Sequence, residues 1–197
     1  MLDVVPMFST PIGIEKNFIS ENERKDLYND IEKINHYNHG ALEGNAKSTK
    51  NNKSIKLNEN IMLRLKQAIT DYTNIYGLDG TLKIAEIWTN IQNKGSKLIE
   101  HTHPDSVISG ALYINTESNS KIYFHNPNPY IMFTQVPSNK NEYNSQYYWF
   151  NVLNCQLFLF PSWLKHGKND IVNDMNNRIV ISFNVIRDFI KQKKDRL

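Results

Sequence analysis

The first third of the chain has the apolar spacing of amphipathic helices. Ser20 and Glu23 have the spacing of a capping box, and apolar residues follow three to four positions apart at Leu27, Ile31 and Ile34. This pattern predicts a first helix that begins after Ser20 and ends near Ile34.

A second helix is predicted between Asn58, which suits a helix N-cap, and Gly77, which suits a helix end. Its apolar residues recur at helical spacing, at Ile61, Leu63, Leu65, Ala68, Ile69, Tyr72 and Ile75. No chemistry is evident in either helix, and we expect both to cover the back of a sheet.

From Leu82 the pattern changes to the alternation of a β-strand. Short segments rich in aromatic and β-branched residues are separated by turns, and they predict strands at residues 82–92, 107–115, 121–124, 147–150, 156–160 and 178–186. The fold class is therefore mainly β with N-terminal helices, and the strand pattern is typical of a β-sandwich or jelly roll.

Three segments are expected to be irregular. Residues 1–14 contain two prolines and predict an edge strand or an extended arm. Residues 35–52 are polar and predict a mobile loop, for which a lid is one hypothesis; His36 and His39 within it are interpreted as surface histidines rather than a second metal site. Residues 125–147 predict a long insert of turns, and inserts of this size are often binding loops.

The length of 197 residues suits one domain. We expect helical and loop support at residues 1–80, a β core at 81–190 and a basic tail at 191–197. No apolar run is long enough to span a membrane, no secretory signal is recognisable, and a single cysteine, Cys155, fits a reducing cytoplasm. The net charge of +3 comes largely from the tail, which does not support nucleic-acid binding. A homodimer is compatible with the sequence.

Candidate metal ligands are concentrated at His101, His103 and Asp105, which occupy every second position. In extended backbone such positions share one face, so these side chains are predicted to enter one space. A third histidine, His166, follows a distant apolar strand and the residues Phe160-Pro161-Ser162-Trp163. Two neighbouring ligands and one remote histidine are typical of a non-haem Fe(II) site.

Zinc is the competing metal. A structural zinc site favours thiolates, and Cys155 stands alone, but a catalytic zinc with three nitrogen or oxygen ligands fits the residues. Arg178, 12 positions after His166, favours iron with a dicarboxylate cosubstrate, because a guanidinium binds a carboxylate through two parallel hydrogen bonds.

The region from Trp88 to Asn184 resembles the 2-oxoglutarate/Fe(II)-dependent oxygenase superfamily, and within it a small group of oxygenases common in bacteria and their phages. The group's pattern is W-x-N, H-x-H-P-x-S, S-G-x-x-Y, F-P-S-x-x-x-H and R-x-x-x-S-F-N. Each motif has a counterpart here, at residues 88–90, 101–106, 109–113, 160–166 and 178–184.

The resemblance implies a double-stranded β-helix, which is a cupin-like jelly roll, with iron at its open end. His166 would be the distal ligand. The superfamily norm pairs His103 with Asp105, whereas the small group pairs His101 with His103. The second pairing is favoured, with Asp105 as the alternative or as a residue that orients an imidazole.

The same resemblance implies that Arg178 binds the far carboxylate of 2-oxoglutarate, that Tyr113 hydrogen-bonds it, and that Ser182 and Asn184 line the pocket. The cofactors would be Fe(II) and 2-oxoglutarate, and the default reaction is hydroxylation with release of succinate and CO2.

The substrate is not identified by the sequence. His125 follows a strand near the expected opening, where relatives often have F-x-D-P-R, and it is a candidate for substrate contact or for a hydrogen bond to backbone. Trp163 is a second candidate for substrate contact. Two other functions remain open: a non-catalytic jelly-roll binding module, and a cupin-like metal enzyme that does not use 2-oxoglutarate.

Overall fold

The computed structural model describes residues 2–3, 7–50, 55–78, 80–131 and 139–188. The helices are α1 (Glu21–Glu32) and α2 (Glu59–Tyr76). The strands are β1 (Gly13–Glu15), β2 (Leu42–Glu43), β3 (Ala46–Ser48), β4 (Leu82–Gln92), β5 (Lys97–Leu98), β6 (Ile108–Asn115), β7 (Lys121–His125), β8 (Tyr147–Asn151), β9 (Leu157–Pro161) and β10 (Arg178–Arg187).

Both predicted helices are present, and their ends are set by the expected caps. The Ser20 hydroxyl accepts from the Glu23 amide at 3.3 Å, and the Glu23 carboxylate accepts from the Ser20 amide at 2.8 Å, which completes the capping box. The Asn58 side chain accepts from the amide at the third position of α2, and Gly77 ends α2 in the left-handed conformation with φ of 71°.

A six-stranded antiparallel sheet forms the centre of the fold, in the order β1-β9-β6-β10-β4-β3. The pairs β2-β5 and β7-β8 form two smaller antiparallel sheets. The fold is therefore mainly β with two N-terminal helices among the described residues, which confirms the predicted fold class.

Side chains alternate between the two faces of β10. Ile179, Ile181, Phe183 and Val185 belong to the buried cluster that includes α1 and α2. Packing on the side of the sheet that faces the helices also explains the glycine of the S-G-x-x-Y motif. A Cβ on Gly110 would lie 2.1 Å from the Phe183 ring.

The opposite face of the sheet meets the β7-β8 pair through a second apolar cluster. Its buried members are mostly aromatic or aliphatic residues from β6, β7, β9 and β10, namely Ala111, Tyr113, Ile122, Phe124, Val152, Phe158, Phe160, Leu164 and Val180. Polar residues of β4, β6 and β10 line a cavity on this same face, which we call the cavity face; they are Asn90, Gln92, Ser109, Arg178 and Ser182.

The prediction of a loop at residues 35–52 was wrong in part, because β2 and β3 lie within it. Only Ala46 and Ser48 of β3 are buried, and both are small, so the segment lacks the apolar alternation that marks a strand. It is stabilised instead as an edge strand by pairing with β4. Residues 51 and 52 lie outside the described residues.

Of the predictions for the two chain ends, only the one for the N-terminal end concerns residues that the structure describes. The predicted N-terminal edge strand is present as β1, which pairs with β9. The basic tail at 191–197 lies outside the described residues. Within the part of the chain that the structure covers, neither helix has the length and apolar character needed to cross a membrane.

Candidate metal centre

Backbone hydrogen bonds bring the three histidines together. The amide of His101 donates to the carbonyl of His166 at 3.0 Å, and the amide of His166 donates back at 3.0 Å. The amide of His103 donates to the carbonyl of Ser162 at 2.9 Å. The segment before β6 thus runs antiparallel to the segment after β9, and candidate ligand atoms of the three histidines all lie within 4.8 Å of one another.

Two of the imidazoles have a tautomer that suits a metal. Nδ1 of His101 lies 2.7 Å from the carbonyl oxygen of Ile99, and Nδ1 of His166 lies 3.0 Å from that of Leu164. A carbonyl oxygen can only accept, so each Nδ1 carries the hydrogen. The Nε2 lone pair of each ring is therefore available to a metal ion.

Burial keeps the three imidazoles neutral. Desolvation lowers the pKa of His101, lowers that of His103 to about 3, and lowers the pKa of His166 well below its usual range. The neighbouring His101 also lowers the pKa of His103 and His166, and His103 lowers that of His166, because two imidazolium ions so close together would repel. The neutral imidazole is the form that binds a metal, so the cluster needs no deprotonation near neutral pH.

The donor set fits a divalent first-row metal. Imidazole nitrogen suits iron, zinc, copper and nickel alike, so the triad by itself does not select among them. His101, His103 and His166 form the one cluster of potential ligands found in the described ranges.

Asp105 lies apart from this cluster. Residues 104 and 105 form a turn, and Asp105 is exposed and does not line the cavity beside the histidines. The turn interrupts the extended backbone on which the shared face of residues 101, 103 and 105 depends. Of the two ligand sets that the sequence left open, the structure therefore brings together the one that consists of His101, His103 and His166.

Arg178 is a buried cation on the cavity face. One guanidinium nitrogen donates to Oε1 of Gln92 at 2.5 Å and another to the carbonyl oxygen of Lys121 at 3.3 Å. The guanidinium carbon lies 5.3 Å from the centroid of the Tyr113 ring. A guanidinium has five N–H donors, so these contacts orient the group and leave donors for an anionic ligand.

Tyr113 is buried on β6 beside this guanidinium. Burial raises the pKa of its hydroxyl, while the charge and hydrogen bonding of Arg178 act in the opposite direction. The phenol thus stays protonated near neutral pH. It can donate a hydrogen bond to a carboxylate held by Arg178.

Ser182 and Asn184 differ in their surroundings. Ser182 lines the cavity, and its hydroxyl accepts from the side-chain amide of Asn90 at 3.4 Å. Asn184 is buried behind the triad, with its amide nitrogen 3.4 Å from Nδ1 of His103. It does not line the cavity.

A single cavity of about 340 Å³ contains both groups of residues. All three histidines, Tyr113 and Arg178 line it. Its size lies in the range of small-molecule sites. The charged lining residues are four cations, Lys50, Lys121, Lys168 and Arg178, and one carboxylate, Asp174, so the cavity suits anionic ligands.

His125 and Trp163 lie outside the cavity lining. Nε2 of His125 is 2.9 Å from the carbonyl oxygen of Gly167 and 3.6 Å from the Glu100 carboxylate, while Trp163 is half exposed. No described residue from 126 to 146 lines the cavity either. Substrate contact by His125, by Trp163 or by the 125–147 insert stays a prediction.

Sequence reasoning missed several residues of the cavity. Gln92 orients Arg178, and the ammonium of Lys50 lies 4.7 Å from the centroid of the Trp88 ring. The alternation of Trp88, Asn90 and Gln92 along β4 was the available signal, because a polar and aromatic strand face is unusual in a buried sheet. No sequence signal marked Lys50.

The fold is that of solved 2-oxoglutarate oxygenases, which have a double-stranded β-helix. HygX from Streptomyces hygroscopicus, solved with nickel, 2-oxoglutarate and hygromycin B, matches with a TM-score of 0.61 at 9% identity over 91% of this chain and 83% of its own. A Pseudomonas putida prolyl-4-hydroxylase matches with a TM-score of 0.59 at 12% identity over 91% and 94%. The viral collagen prolyl hydroxylase vCPH from Paramecium Bursaria Chlorella virus-1, in complex with 2-oxoglutarate, matches with 0.56 at 11% identity over 88% and 94%.

Comparison of the sequence with family models identifies the family to which the chain belongs. Residues 86–184, half of the chain, match the model of the family described as "Putative 2OG-Fe(II) oxygenase". A search of curated proteins found no match to the sequence. The chain belongs to this family of 2-oxoglutarate/Fe(II) oxygenases, so it is an oxidoreductase that uses Fe(II) and 2-oxoglutarate, and the binding-module and cupin-like alternatives are set aside.

Proposed function

We propose that His101, His103 and His166 bind the Fe(II) ion and that Arg178 binds the far carboxylate of 2-oxoglutarate. The observation that carries this assignment is one cavity with a neutral imidazole triad and a buried guanidinium. The residues fit the two groups chemically, because neutral nitrogen donors suit the metal and a guanidinium suits a carboxylate.

Each part of the chain would then have a defined task. The carbonyl oxygens of Ile99 and Leu164 hold two imidazoles with Nε2 unprotonated. Gln92 and the Lys121 carbonyl hold the guanidinium in place, and Tyr113 supplies a hydroxyl beside it. Such fixed donors reduce the reorganisation that ligand binding requires.

When bound, Fe(II) and 2-oxoglutarate supply the oxidative chemistry, with succinate and CO2 as the products of the cosubstrate. Hydroxylation of a C–H bond is the reaction we propose for the substrate. The cationic lining of the cavity supports an anionic cosubstrate.

We also propose a single-domain cytoplasmic enzyme of a bacterium or phage, which acts alone or as a homodimer. The buried, unpaired Cys155 thiol supports a reducing compartment. The H-x-H-P-x-S motif at residues 101–106 supports the bacterial and phage group. Nucleic acid and membranes are not among the proposed partners.

The assignment of the metal ligands can be tested by titrating the protein with Fe(II) under argon. We expect one ion per chain for the wild type. For His166→Ala we expect loss of stoichiometric binding, because only two of the three proposed imidazole ligands remain. His36→Ala is the matched control, since His36 is half-buried outside the cavity and hydrogen-bonded to Ile34 and Thr89.

A second readout follows the cosubstrate. With Fe(II), ascorbate and 2-oxoglutarate, the wild type and His36→Ala should form succinate, and His166→Ala should not. If His166→Ala keeps one tightly bound iron per chain, the proposed ligand set is wrong.

A further inference from the structure

Of the four cations that line the cavity, three already have a role or a partner. Arg178 is assigned to the cosubstrate. The ammonium of Lys168 pairs with the carboxylate two residues further along the chain. The ammonium of Lys121 lies 5.2 Å from the centroid of the Trp149 ring, which is outside the cavity lining. Lys50 is left, and none of the ion pairs between described residues includes it.

The backbone of Lys50 is fixed by the edge of the central sheet. The Thr49 amide donates to the carbonyl of Thr89 at 2.9 Å, and the Thr49 hydroxyl accepts from the Thr89 amide at 2.9 Å. The Lys50 amide donates to the Ser48 hydroxyl at 3.0 Å. Because β3 pairs with β4 up to Ser48, strand alternation places Lys50, two positions further on, on the cavity face.

The ammonium of Lys50 lies near the histidine triad rather than near Arg178. It is 4.7 Å from the centroid of the Trp88 ring, and the centroids of the Trp88 and His103 rings are 5.8 Å apart. Arg178 is paired with Gln92, whose side chain also holds its guanidinium. Gln92 is four residues from Trp88 along β4, which is about 13 Å of extended strand. A carboxylate bound by Arg178 is therefore out of reach of Lys50.

Binding of the metal and the cosubstrate would leave the charge of Lys50 unbalanced. Fe(II) carries two positive charges and 2-oxoglutarate carries two negative charges, so together they are neutral. The one carboxylate of the cavity lining, Asp174, is exposed and hydrogen-bonded to Asn119. Lys50 is only partly exposed, and a charge partly withdrawn from water attracts an anion more strongly than one in bulk solvent.

We propose that Lys50 binds an anionic group, a carboxylate or a phosphate, of the molecule that is hydroxylated, so that the substrate is a small organic anion. The inference rests on the proposed function, since it takes the triad as the metal site and Arg178 as the cosubstrate site. A cavity of about 340 Å³ suits a small molecule. An ammonium is a point charge with three donors, so it accepts either kind of anion.

The anion site can be tested by NMR of protein loaded with 2-oxoglutarate and Zn(II), a diamagnetic substitute for Fe(II), so that the triad and Arg178 are already occupied. With lysine labelled with 13C at Cε, the signal that is absent from Lys50→Met belongs to Lys50. The probes are inorganic phosphate, acetate and acetamide at constant pH and ionic strength. Phosphate and acetate should shift the Lys50 signal saturably. Acetamide, the neutral match of acetate, should not.

The position of the bound anion can be measured with Co(II) in place of Zn(II). Paramagnetic Co(II) speeds the relaxation of the methyl protons of acetate that is bound beside the triad, so a titration gives the affinity. We expect this enhancement in the wild type and a roughly 10–100-fold weaker affinity in Lys50→Met, which lacks the charge. Enhancement with wild-type affinity in Lys50→Met would mean that acetate binds the metal itself, and the proposal would be overturned.

Two further variants separate charge from simple packing. Lys50→Arg keeps the positive charge and should retain most of the affinity for acetate. Lys47→Met is the matched control, because Lys47 lies on the same edge strand but is exposed outside the cavity lining, and its replacement should leave acetate binding unchanged. Thermal unfolding shows whether each variant is folded. If Lys50→Met does not fold, Lys50→Arg assigns the Lys50 signal and the wild-type titration decides the question.

The outcomes distinguish this inference from the proposed function. If the wild type binds no Zn(II) or no 2-oxoglutarate, the proposed function fails and the inference fails with it. If the wild type binds both but neither anion shifts the Lys50 signal, or acetamide shifts it as acetate does, only the anionic substrate is overturned. Loss of 2-oxoglutarate affinity in Lys50→Met would also overturn it, because Lys50 would then belong to the cosubstrate site.

Discussion

The two faces of the central sheet are built from the same strands but have different compositions. On β10 the helix-facing residues are Ile179, Ile181, Phe183 and Val185, each at most 1% exposed. On the opposite face, Arg178, Val180 and Ser182 line the cavity and Asn184 is buried behind the triad, so three of these four residues are polar. Because neighbouring positions of a strand point to opposite sides, one strand can supply stability on one face and ligand binding on the other.

The cost of a polar face is offset by internal hydrogen bonds. Among the described residues, no buried side-chain nitrogen or oxygen lacks a partner. On the cavity face, Gln92 partners Arg178, and Asn90 partners Ser182. Burial of polar groups is tolerated when they are paired, so the face can remain polar without unfolding the sheet. This separation predicts that substitutions on the two faces have different consequences.

The largest effect is expected from Arg178→Ala on the cavity face. Two charge-assisted hydrogen bonds to a carboxylate contribute about 3–6 kcal/mol, so the affinity for 2-oxoglutarate should fall at least about 100-fold. Calorimetric titration of the metal-loaded protein under argon measures this loss. Arg178→Lys should recover little of the affinity, because an ammonium does not reproduce the planar fork.

The same variant should leave the fold intact, since Arg178 lines a cavity rather than the helix-packed core. Its far-UV circular dichroism should match that of the wild type. Binding of 2-oxoglutarate with wild-type affinity by folded Arg178→Ala would mean that another cation holds the carboxylate, and Lys121 and Lys168 would be the next residues to replace.

Ile181→Ala should produce the opposite result. Ile181 is fully buried against the helices, and truncation of such a side chain costs about 2–5 kcal/mol of unfolding free energy. Denaturant unfolding measures the loss, while the folded protein should retain its affinity for 2-oxoglutarate. The adjacent Ser182→Ala is the matched truncation on the cavity face, and its unfolding free energy should change less. Equal destabilisation by both would contradict the division between faces.

The fold was largely predictable because its strongest signals are local. Helix caps at Ser20 and Asn58 and the alternation of residues 82–92 and 178–186 each act within a few positions of the chain. The strand β3 was not predictable in the same way. Its two inward residues are small, and it is stabilised by pairing with β4, which is more than thirty residues away.

The candidate site was predictable in its residue types but not in its connections. The spacing of His101 and His103 and the motif around His166 identified the three histidines. The partners that orient the site come from distant segments: Gln92 holds Arg178 and Asn184 contacts His103. Such contacts depend on strand register, which a single sequence does not specify.

The smallest effect is expected from Asp105→Asn, which tests the alternative ligand set. Asp105 is exposed beyond the turn at residues 104 and 105, outside the cavity lining. Replacement of an exposed side chain without buried partners typically changes the unfolding free energy by no more than about 0.5 kcal/mol. We expect Fe(II) affinity and succinate formation close to those of the wild type.

His101→Ala is the informative comparison for this variant, because the two sequence alternatives differ only in whether residue 101 or residue 105 completes the set with His103 and His166. If His101→Ala loses the metal and Asp105→Asn keeps it, the site has three imidazoles and no carboxylate. The reverse result would require the turn at residues 104 and 105 to rearrange when the metal binds, since Asp105 lies outside both the histidine cluster and the cavity lining. The two variants therefore test whether the ligands are the three histidines that this backbone brings together or the set that contains Asp105 in place of His101.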